Sequence, residues 1–387
     1  MPRLRPWQWH TLHLLLFVLT VFACILAGTE LRTGRSWWGE LNWSELSLGV
    51  PYAIAFLLFL SCHEFGHYFT ARHHHIRTTL PFYIPMFIPG IFNIGSMGAV
   101  IALRQAPRNN REYFDVGISG PLAGMVAAIL ILVVAVLTLP EPNGFLLATF
   151  PEWAELFGGI PAESTYAEYL ISQQDAAIAT GPTLLMRGIW QLGLPHLPPE
   201  YLLIHYPLLF AAYLSLFATA LNLLPIGQLD GGHIVYAMFG PRVAGIVSRI
   251  AVLILLLIGG TALVDLRPDH WTGWLSLAAY AAYLGYIFFK ILNQQPAWRV
   301  ILVSFLFLLV QSILFVLLPP IEPQFIWLLY SILMVRVVKL DHPPAYQFAP
   351  LNRVRMGLGW LAFLIFLLCF SPMPLRVIGL IEMQIGL

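Results

Sequence analysis

Residues 61–68 read Ser-Cys-His-Glu-Phe-Gly-His-Tyr, and they lie inside a long apolar run that covers residues 48–72. A run of this length is enough to cross a bilayer as one helix, because about 17–25 residues are needed. Ionisable residues are costly inside such a helix and usually serve a function there. The stretch therefore predicts a membrane-spanning helix with a polar site inside it.

The composition of the whole chain agrees with a membrane location. Of its 387 residues, 59% are hydrophobic and 10% are charged, whereas roughly 25% of the residues in a soluble domain are charged. The lipid bilayer is therefore the expected partner of much of its surface. The formal net charge is +1, and the sequence has no basic stripe with interleaved aromatic residues, so we expect no nucleic-acid partner.

The apolar runs define the predicted fold class. They cover residues 11–28, 48–72, 112–139, 201–224, 242–265, 271–292, 298–318, 322–338 and 355–371. We predict an all-α polytopic membrane protein with about nine spanning helices. With the N-terminus in the cytoplasm, about 14 lysines and arginines lie on the cytoplasmic side and about 5 on the outer side, as the positive-inside rule requires. The expected location is the plasma membrane, with the polar site toward the cytoplasm.

Residues 78–104 are apolar but cannot form a spanning helix. The interrupting residues are Pro81, Pro85, Pro89, Gly90, Gly95 and Gly98. Non-helical backbone is tolerated at membrane depth only where it is buried in protein or lines a wet cavity. We predict a re-entrant loop here, with a short β-strand near residues 98–103.

The histidines of the second run have the spacing of metal ligands. His63 and His67 are four residues apart, so their imidazoles lie on one helical face and both can bind one Zn²⁺ at about 2.0–2.1 Å. Glu64 follows the first histidine and can activate a metal-bound water. The alternative is a polar face that lines a pore or contacts another helix. We expect one zinc ion per chain.

A catalytic zinc usually has three protein ligands and one water, so a third ligand is needed. Residues 222–233 read Asn-Leu-Leu-Pro-Ile-Gly-Gln-Leu-Asp-Gly-Gly-His, and Asp230 is the only carboxylate between Glu200 and Asp265. Asp230 is the predicted third ligand; its alternative role is to cap the following helix. His233 is the rival ligand, but we favour a supporting hydrogen bond for it.

These residues resemble a known family. His-Glu-Phe-Gly-His at 63–67, together with Asn-Leu-Leu-Pro at 222–225 and Leu-Asp-Gly at 229–231, is similar to the paired motifs of the site-2 protease family. That family consists of M50-type intramembrane zinc metalloproteases. The small-residue stretch 117–124 is similar to the third core helix of the family. The resemblance covers about residues 48–240.

The resemblance implies a fold, a reaction and roles for particular residues. It implies a three-helix core with two histidines and one aspartate as zinc ligands, and Glu64 as the general base. Asn222 is expected to hold the substrate or the developing oxyanion. Gly98, Ala99 and Val100 resemble part of the strand that pairs with an unwound substrate. The implied reaction is hydrolysis of peptide bonds in membrane-protein substrates, as in regulated intramembrane proteolysis.

The chain is expected to divide into three parts. Residues 1–47 form an N-terminal span and outer loop, residues 48–240 form the metalloprotease core with an outer loop at 140–200, and residues 241–387 add further transmembrane helices. No stretch is polar and long enough for the PDZ or CBS domain that many members of the family contain.

Two other functions fit parts of the pattern. A membrane zinc or ion transporter would also place His and Asp inside the bilayer, but it predicts further ligands along the spans, and the runs after residue 242 have almost none. A catalytically inactive, membrane-protein-binding homologue would retain the fold, but it would have no use for Glu64.

Overall fold

The computed structural model describes residues 6–36, 42–87, 93–173, 177–194, 196–264, 271–292, 295–317 and 324–378. The chain forms two compact units. The first consists of Met1–Asn222 together with Trp360–Leu387, and the second of Leu223–Gly359. The first unit contains the helix with both candidate histidine ligands and ends its first segment at Asn222. The second unit begins at the next residue, Leu223.

The helices account for most of the described chain. In chain order they are α1 (Pro6–Thr33), α2 (Val50–His73), α3 (Asn110–Leu137), α4 (Pro142–Thr149), α5 (Glu152–Phe157), α6 (Glu163–Ser172), α7 (Leu184–Gln191), α8 (Pro207–Leu223), α9 (Asp230–Gly260), α10 (Trp271–Ile291), α11 (Ala297–Leu317), α12 (Phe325–Leu333) and α13 (Arg353–Cys369). Short 3₁₀ turns lie at Trp43–Gly49, Glu200–His205 and Thr261–Leu263, and a π-helical turn at Met334–Val338.

Helices α2 and α3 pack closely in the first unit because small residues lie where they meet. A Cβ atom on Gly66 would lie 2.6 Å from the carbonyl oxygen of Ser119, so glycine is what allows the two backbones to approach. His74, just after α2, pairs with Asp115 in α3 through Nε2 and Oδ2, 3.0 Å apart. These contacts fix α3 against the helix that contains the candidate ligands.

The predicted re-entrant segment forms a β-hairpin. Strand β1 (Phe82–Pro85) pairs antiparallel with β2 (Ser96–Val100), with Tyr83 opposite Ala99. The predicted strand at 98–103 therefore ends three residues too late. Phe82 pairs with Val100, and Pro81 before it has no N–H group with which to extend the ladder.

The segment 140–200, predicted to be an outer loop, contains regular secondary structure. It contains α4 to α7, and strand β3 (Ala177–Thr180) pairs antiparallel with β4 (Leu375–Ile378). The Tyr213 hydroxyl shares its one proton between the carbonyl oxygens of Pro374 at 2.7 Å and Gly181 at 3.0 Å, next to this sheet. The pairing joins two distant parts of the chain within the first unit.

Helix α9, in the second unit, is broken near its middle. Gly240 has φ 84° and ψ 172°, a conformation that glycine adopts easily, and the following Pro241 has no N–H for a helical hydrogen bond. The predicted span at 242–265 thus begins just after the break, while helical backbone already starts at Asp230.

Among the described residues, 6 helical segments are long and apolar enough to cross a membrane. They are Trp7–Thr33, Trp43–His73, Asn110–Leu137, Asp230–Gly260, Trp271–Ile291 and Ala297–Leu317. The chain is therefore a multi-pass, mainly α-helical membrane protein, as predicted.

The predicted count of about nine spans is higher than this number because three runs contain shorter helices. The run at 201–224 begins with a 3₁₀ turn, so its helix α8 has 17 residues. The run at 322–338 changes to a π-helical turn after Leu333, and α13 in the last run also has 17 residues. Such a helix is roughly 26 Å long at 1.5 Å per residue, slightly less than the hydrocarbon core of about 30 Å.

Candidate active site

The two histidines lie together on one face of α2, as their spacing predicts. Their Nε2 atoms are 3.1 Å apart, and His63 is 4% and His67 7% exposed. Two nitrogen ligands of a tetrahedral zinc, each about 2.0–2.1 Å from the metal, are roughly 3.3 Å from each other. The observed separation therefore fits a pair of imidazoles that share one zinc ion.

Hydrogen bonds around the two imidazoles indicate which ring nitrogens have a lone pair that can bind a metal. His67 Nδ1 lies 2.6 Å from the Val116 carbonyl oxygen, which can only accept, so this nitrogen has the proton and Nε2 has the lone pair. Asn222 Nδ2 lies 3.3 Å from His63 Nε2, and an amide NH₂ group donates, so this nitrogen also has a lone pair. A bound zinc would take that lone pair in place of the Asn222 hydrogen bond. Two basic nitrogens therefore face each other, an arrangement that a cation stabilises.

Helix α3 forms a wall directly behind these imidazoles. A Cβ atom on Gly120 would lie 2.1 Å from Nε2 of His67, and one on Gly124 would lie 3.1 Å from Nδ1 of His63. Both glycines belong to the small-residue stretch 117–124. The structure shows that Gly120 and Gly124 make room for the two rings.

Glu64 is next to the first histidine and is 7% exposed. The residue that sequence analysis missed is Tyr83 of strand β1, whose hydroxyl lies 2.7 Å from Ser61 Oγ on the same helix as Glu64. Burial raises the pKa of Tyr83, and the negative charge of Glu64 raises it further. Tyr83 is therefore a neutral phenol close to the candidate general base. Strand β1 packs on α1, where the Tyr83 ring meets Phe17 edge-on with centroids 5.0 Å apart, so no local sequence signal could have revealed this tyrosine.

The three residues expected to contact a substrate lie in strand β2, as described above for the hairpin. Ala99 is buried, Val100 is 50% exposed, and Gly98 has φ +108° with open space where a Cβ atom would be. In the described part of the chain β2 pairs only with β1. Its second edge has no strand partner there, although the Gly98 N–H donates to Ser96 Oγ and the Gly98 carbonyl accepts from it, both at 3.1 Å.

Asp230 lies in the second unit as the first residue of α9 and is half-buried. The helix cap is Leu229, which has the extended geometry of that position (φ −68°, ψ 163°). The alternative that Asp230 caps the helix is therefore wrong, because its own backbone is already helical. The turn before it is tight: Cβ atoms on Gly231 and Gly232 would lie 2.1 Å and 2.3 Å from the carbonyl oxygens of Leu223 and Gly227.

His233 lies in the first turn of α9, and its Nδ1 is 2.6 Å from Nε2 of His342. The His342 ring also stacks on Tyr236, with ring centroids 3.8 Å apart. Both contacts lie within the second unit. The sequence did not indicate His342, because it lies in a loop more than a hundred residues further along the chain.

Comparison with known proteins decides the family. The sequence profile of Peptidase family M50 matches residues 51–263, more than half of the chain. The chain belongs to Peptidase family M50. This is the site-2 protease family that the two motifs indicated, and zinc is its metal.

Several curated relatives are plant proteins. The "Probable zinc metalloprotease EGY1, chloroplastic" of Oryza sativa subsp. japonica is 28% identical over 251 residues, which are 60% of this chain and 38% of the relative. The "Probable zinc metalloprotease EGY2, chloroplastic" of Oryza sativa subsp. indica is 28% identical over 258 residues, 66% of this chain and 40% of the relative. The chain thus spans about two fifths of the length of these relatives. No solved structure matches it.

Proposed function

We propose that this protein is an intramembrane zinc metalloprotease that hydrolyses peptide bonds of membrane-protein substrates. The observation that carries the proposal is the 3.1 Å approach of two imidazole Nε2 atoms on a buried helix, beside a buried glutamate, in a member of Peptidase family M50. Neither a transporter nor an inactive homologue accounts for the glutamate as well as the ligands.

His63, His67 and Asp230 are the proposed ligands of a single zinc ion. The converging lone pairs support the two histidines. For Asp230 the support is the family motif and its place at the start of α9, only eight residues after Asn222, which itself contacts His63. His233 is proposed to support the site through hydrogen bonding, and its bond to His342 is consistent with that role.

The chemistry follows from the residues that surround the site. Zinc, when bound, supplies a Lewis acid that polarises a carbonyl oxygen and acidifies a water molecule. Glu64 takes a proton from the attacking water and passes it to the leaving amine. The Asn222 amide is placed to donate a hydrogen bond to the developing oxyanion. Burial of Glu64 and both imidazoles excludes bulk water, which strengthens these electrostatic interactions.

The substrate must lose its helical structure before it is cut. Its freed N–H and C=O groups need partners in a low-dielectric environment. The free edge of strand β2, at Gly98, Ala99 and Val100, is proposed to supply them by strand addition. The open space at Gly98 allows a second backbone to approach closely.

The decisive experiment replaces the general base alone. Glu64→Gln has nearly the same shape but cannot accept a proton, so the purified variant should bind one zinc per chain and show no cleavage of a single-span substrate. Equal cleavage by the variant and the parent would refute the proposal. His67→Ala and Asp230→Ala should each lower the zinc content. Full activity of Asp230→Ala would instead assign the role of third ligand to His233.

The extent of the core and its location are further parts of the proposal. The family match at residues 51–263 supports a metalloprotease core near 48–240, preceded by an N-terminal span and followed by additional helices. The distribution of lysines and arginines supports a cytoplasmic N-terminus. The plasma membrane is the proposed location, whereas the relatives are named as chloroplastic. Membrane fractionation of cells that express the tagged chain distinguishes the two locations, and protease protection of each terminus tests the orientation.

A further inference from the structure

A cavity of about 250 Å³ lies in the first unit, at the end where α2 begins. Its lining includes Arg32, Pro51, Leu139, Phe145, Tyr206 and Leu209. Pro51 is about 18 Å along α2 from His63, at 1.5 Å per residue. The cavity is therefore separate from the candidate active site.

The Tyr206 hydroxyl is the first sign of a ligand in this cavity. Tyr206 is 2% exposed, and its hydroxyl has no hydrogen-bond partner among the residues that the structure describes. Buried polar side chains nearly always have a partner. Burial raises the pKa of Tyr206 well above its usual range, so the hydroxyl retains its proton. Its oxygen is itself buried, so it reaches an acceptor in the cavity only when the ring turns toward it.

Arg32 is the second, independent sign. Its guanidinium carbon lies 3.7 Å from the ring centroid of Phe145. The Phe145 ring also stacks on the Tyr206 ring, with centroids 4.6 Å apart. Arg32 makes no ion pair with a carboxylate in the described parts of the chain. The nearby Glu141 instead caps α4, where its carboxylate accepts from the Gly144 N–H at 2.7 Å.

We propose that this cavity binds the phosphate headgroup of an anionic membrane phospholipid. A guanidinium is well suited to two phosphate oxygens, and the Tyr206 hydroxyl can donate to a third. The remaining lining is mainly apolar, with Leu48, Leu139 and Leu208 among it, and suits the start of an acyl chain. The spanning helices place the protein in a bilayer, where such a lipid is available from the side.

The test measures lipid retention by the purified full chain in detergent, using native mass spectrometry. Phosphatidylglycerol should be retained and phosphatidylcholine should not. Arg32→Gln should weaken phosphatidylglycerol binding about tenfold or more, because it removes a charge-assisted contact. Tyr206→Phe removes a single hydroxyl and should weaken it by about threefold.

Arg35→Gln is the matched control. It removes the same charge three residues away, at an exposed arginine that already pairs with Glu45 at 2.6 Å, and it should leave lipid retention unchanged. Arg32→Lys retains the charge and should bind more tightly than Arg32→Gln. If Arg32→Gln does not fold, as judged by gel filtration, the comparison of Arg32→Lys and Tyr206→Phe with the parent decides the question.

Two results would overturn the proposal. Equal phosphatidylglycerol retention by the parent, Arg32→Gln and Tyr206→Phe would show that the cavity does not bind the headgroup. Displacement of the lipid by an equal concentration of sn-glycerol 3-phosphate would show that a free phosphate ester is sufficient, so that the ligand is not a lipid. Neither readout depends on proteolysis, so the inference stands or fails separately from the proposed function.

Discussion

Gly120→Ala should disable the metal site without changing any proposed ligand. The added Cβ atom would lie 2.1 Å from Nε2, 2.4 Å from Cε1 and 2.5 Å from Cδ2 of His67. Ordinary contacts of this kind are about 3.4 Å or longer. The ring or the whole of α3 must therefore move by more than about 1 Å.

A shift of this size is larger than a metal site tolerates. Distances between a metal and its ligands vary by only about 0.2 Å in a working site, and a misplacement of about 1 Å can reduce a rate by roughly 100-fold. We therefore expect Gly120→Ala to lose most of its zinc and at least about 100-fold in kcat/KM. Gly124→Ala should have a smaller effect, because its Cβ atom would be 3.0 Å from Phe59 and 3.1 Å from His63.

The assay combines metal analysis of the purified protein with cleavage of a single-span substrate. Gly285→Ala is the matched control: it also lies in a transmembrane helix, α10, but its Cβ atom would meet nothing within 4 Å. This control should retain zinc and activity. Full zinc content and normal cleavage in Gly120→Ala would refute the packing of α3 against the His67 ring.

Two further predictions concern Tyr83 and His205. Tyr83→Phe should lower kcat by about tenfold or less at unchanged zinc content, because the part-buried hydrogen bond to Ser61 near Glu64 is lost. Ser61→Ala removes the same hydrogen bond from the other side. An unchanged kcat in Tyr83→Phe would limit that tyrosine to a structural role. Burial lowers the pKa of His205 from 6.5 to about 4, so the unfolded chain takes up this proton first as the pH falls. The contribution of His205 to the free energy of unfolding should be fully present above about pH 6.5. It should be lost as the pH falls through 4, roughly 3 kcal/mol in all. The melting temperature of the parent should be lower at pH 4.5 than at pH 7, and that of His205→Asn should fall by less. Equal pH dependence of the two melting temperatures would contradict this assignment to His205.

The long spans and the ligand pair could be predicted because both depend on local spacing. An apolar run specifies a membrane helix by its length, and residues four apart in a helix lie on one face whatever surrounds them. The shorter helices were harder to predict. Hydropathy indicates that a run is apolar, but a 3₁₀ turn at Glu200–His205 or a π-helical turn at Met334–Val338 depends on the packing of neighbouring segments.

Residues that act through distant contacts were not predictable. Tyr83 comes near Glu64 because strand β1 packs on α1 and the tyrosine hydroxyl reaches Ser61 of α2. His342 contacts His233 from a loop more than a hundred residues later in the chain. The pairing of β3 with β4 likewise joins segments that are far apart in the sequence. Such pairings are set by the whole fold, so a single sequence contains no periodic signal for them.

By itself, the sequence determined that this protein lies in a membrane, that two histidines and a glutamate share a buried helix, and that the chain has the paired motifs of its family. Only the tertiary structure decided which atoms of those histidines face each other, which glycines make room for them, and which tyrosine accompanies the glutamate. The physical reason is that helical periodicity and apolar burial act over a few neighbouring residues, whereas close packing and hydrogen bonding join residues wherever the fold brings them together.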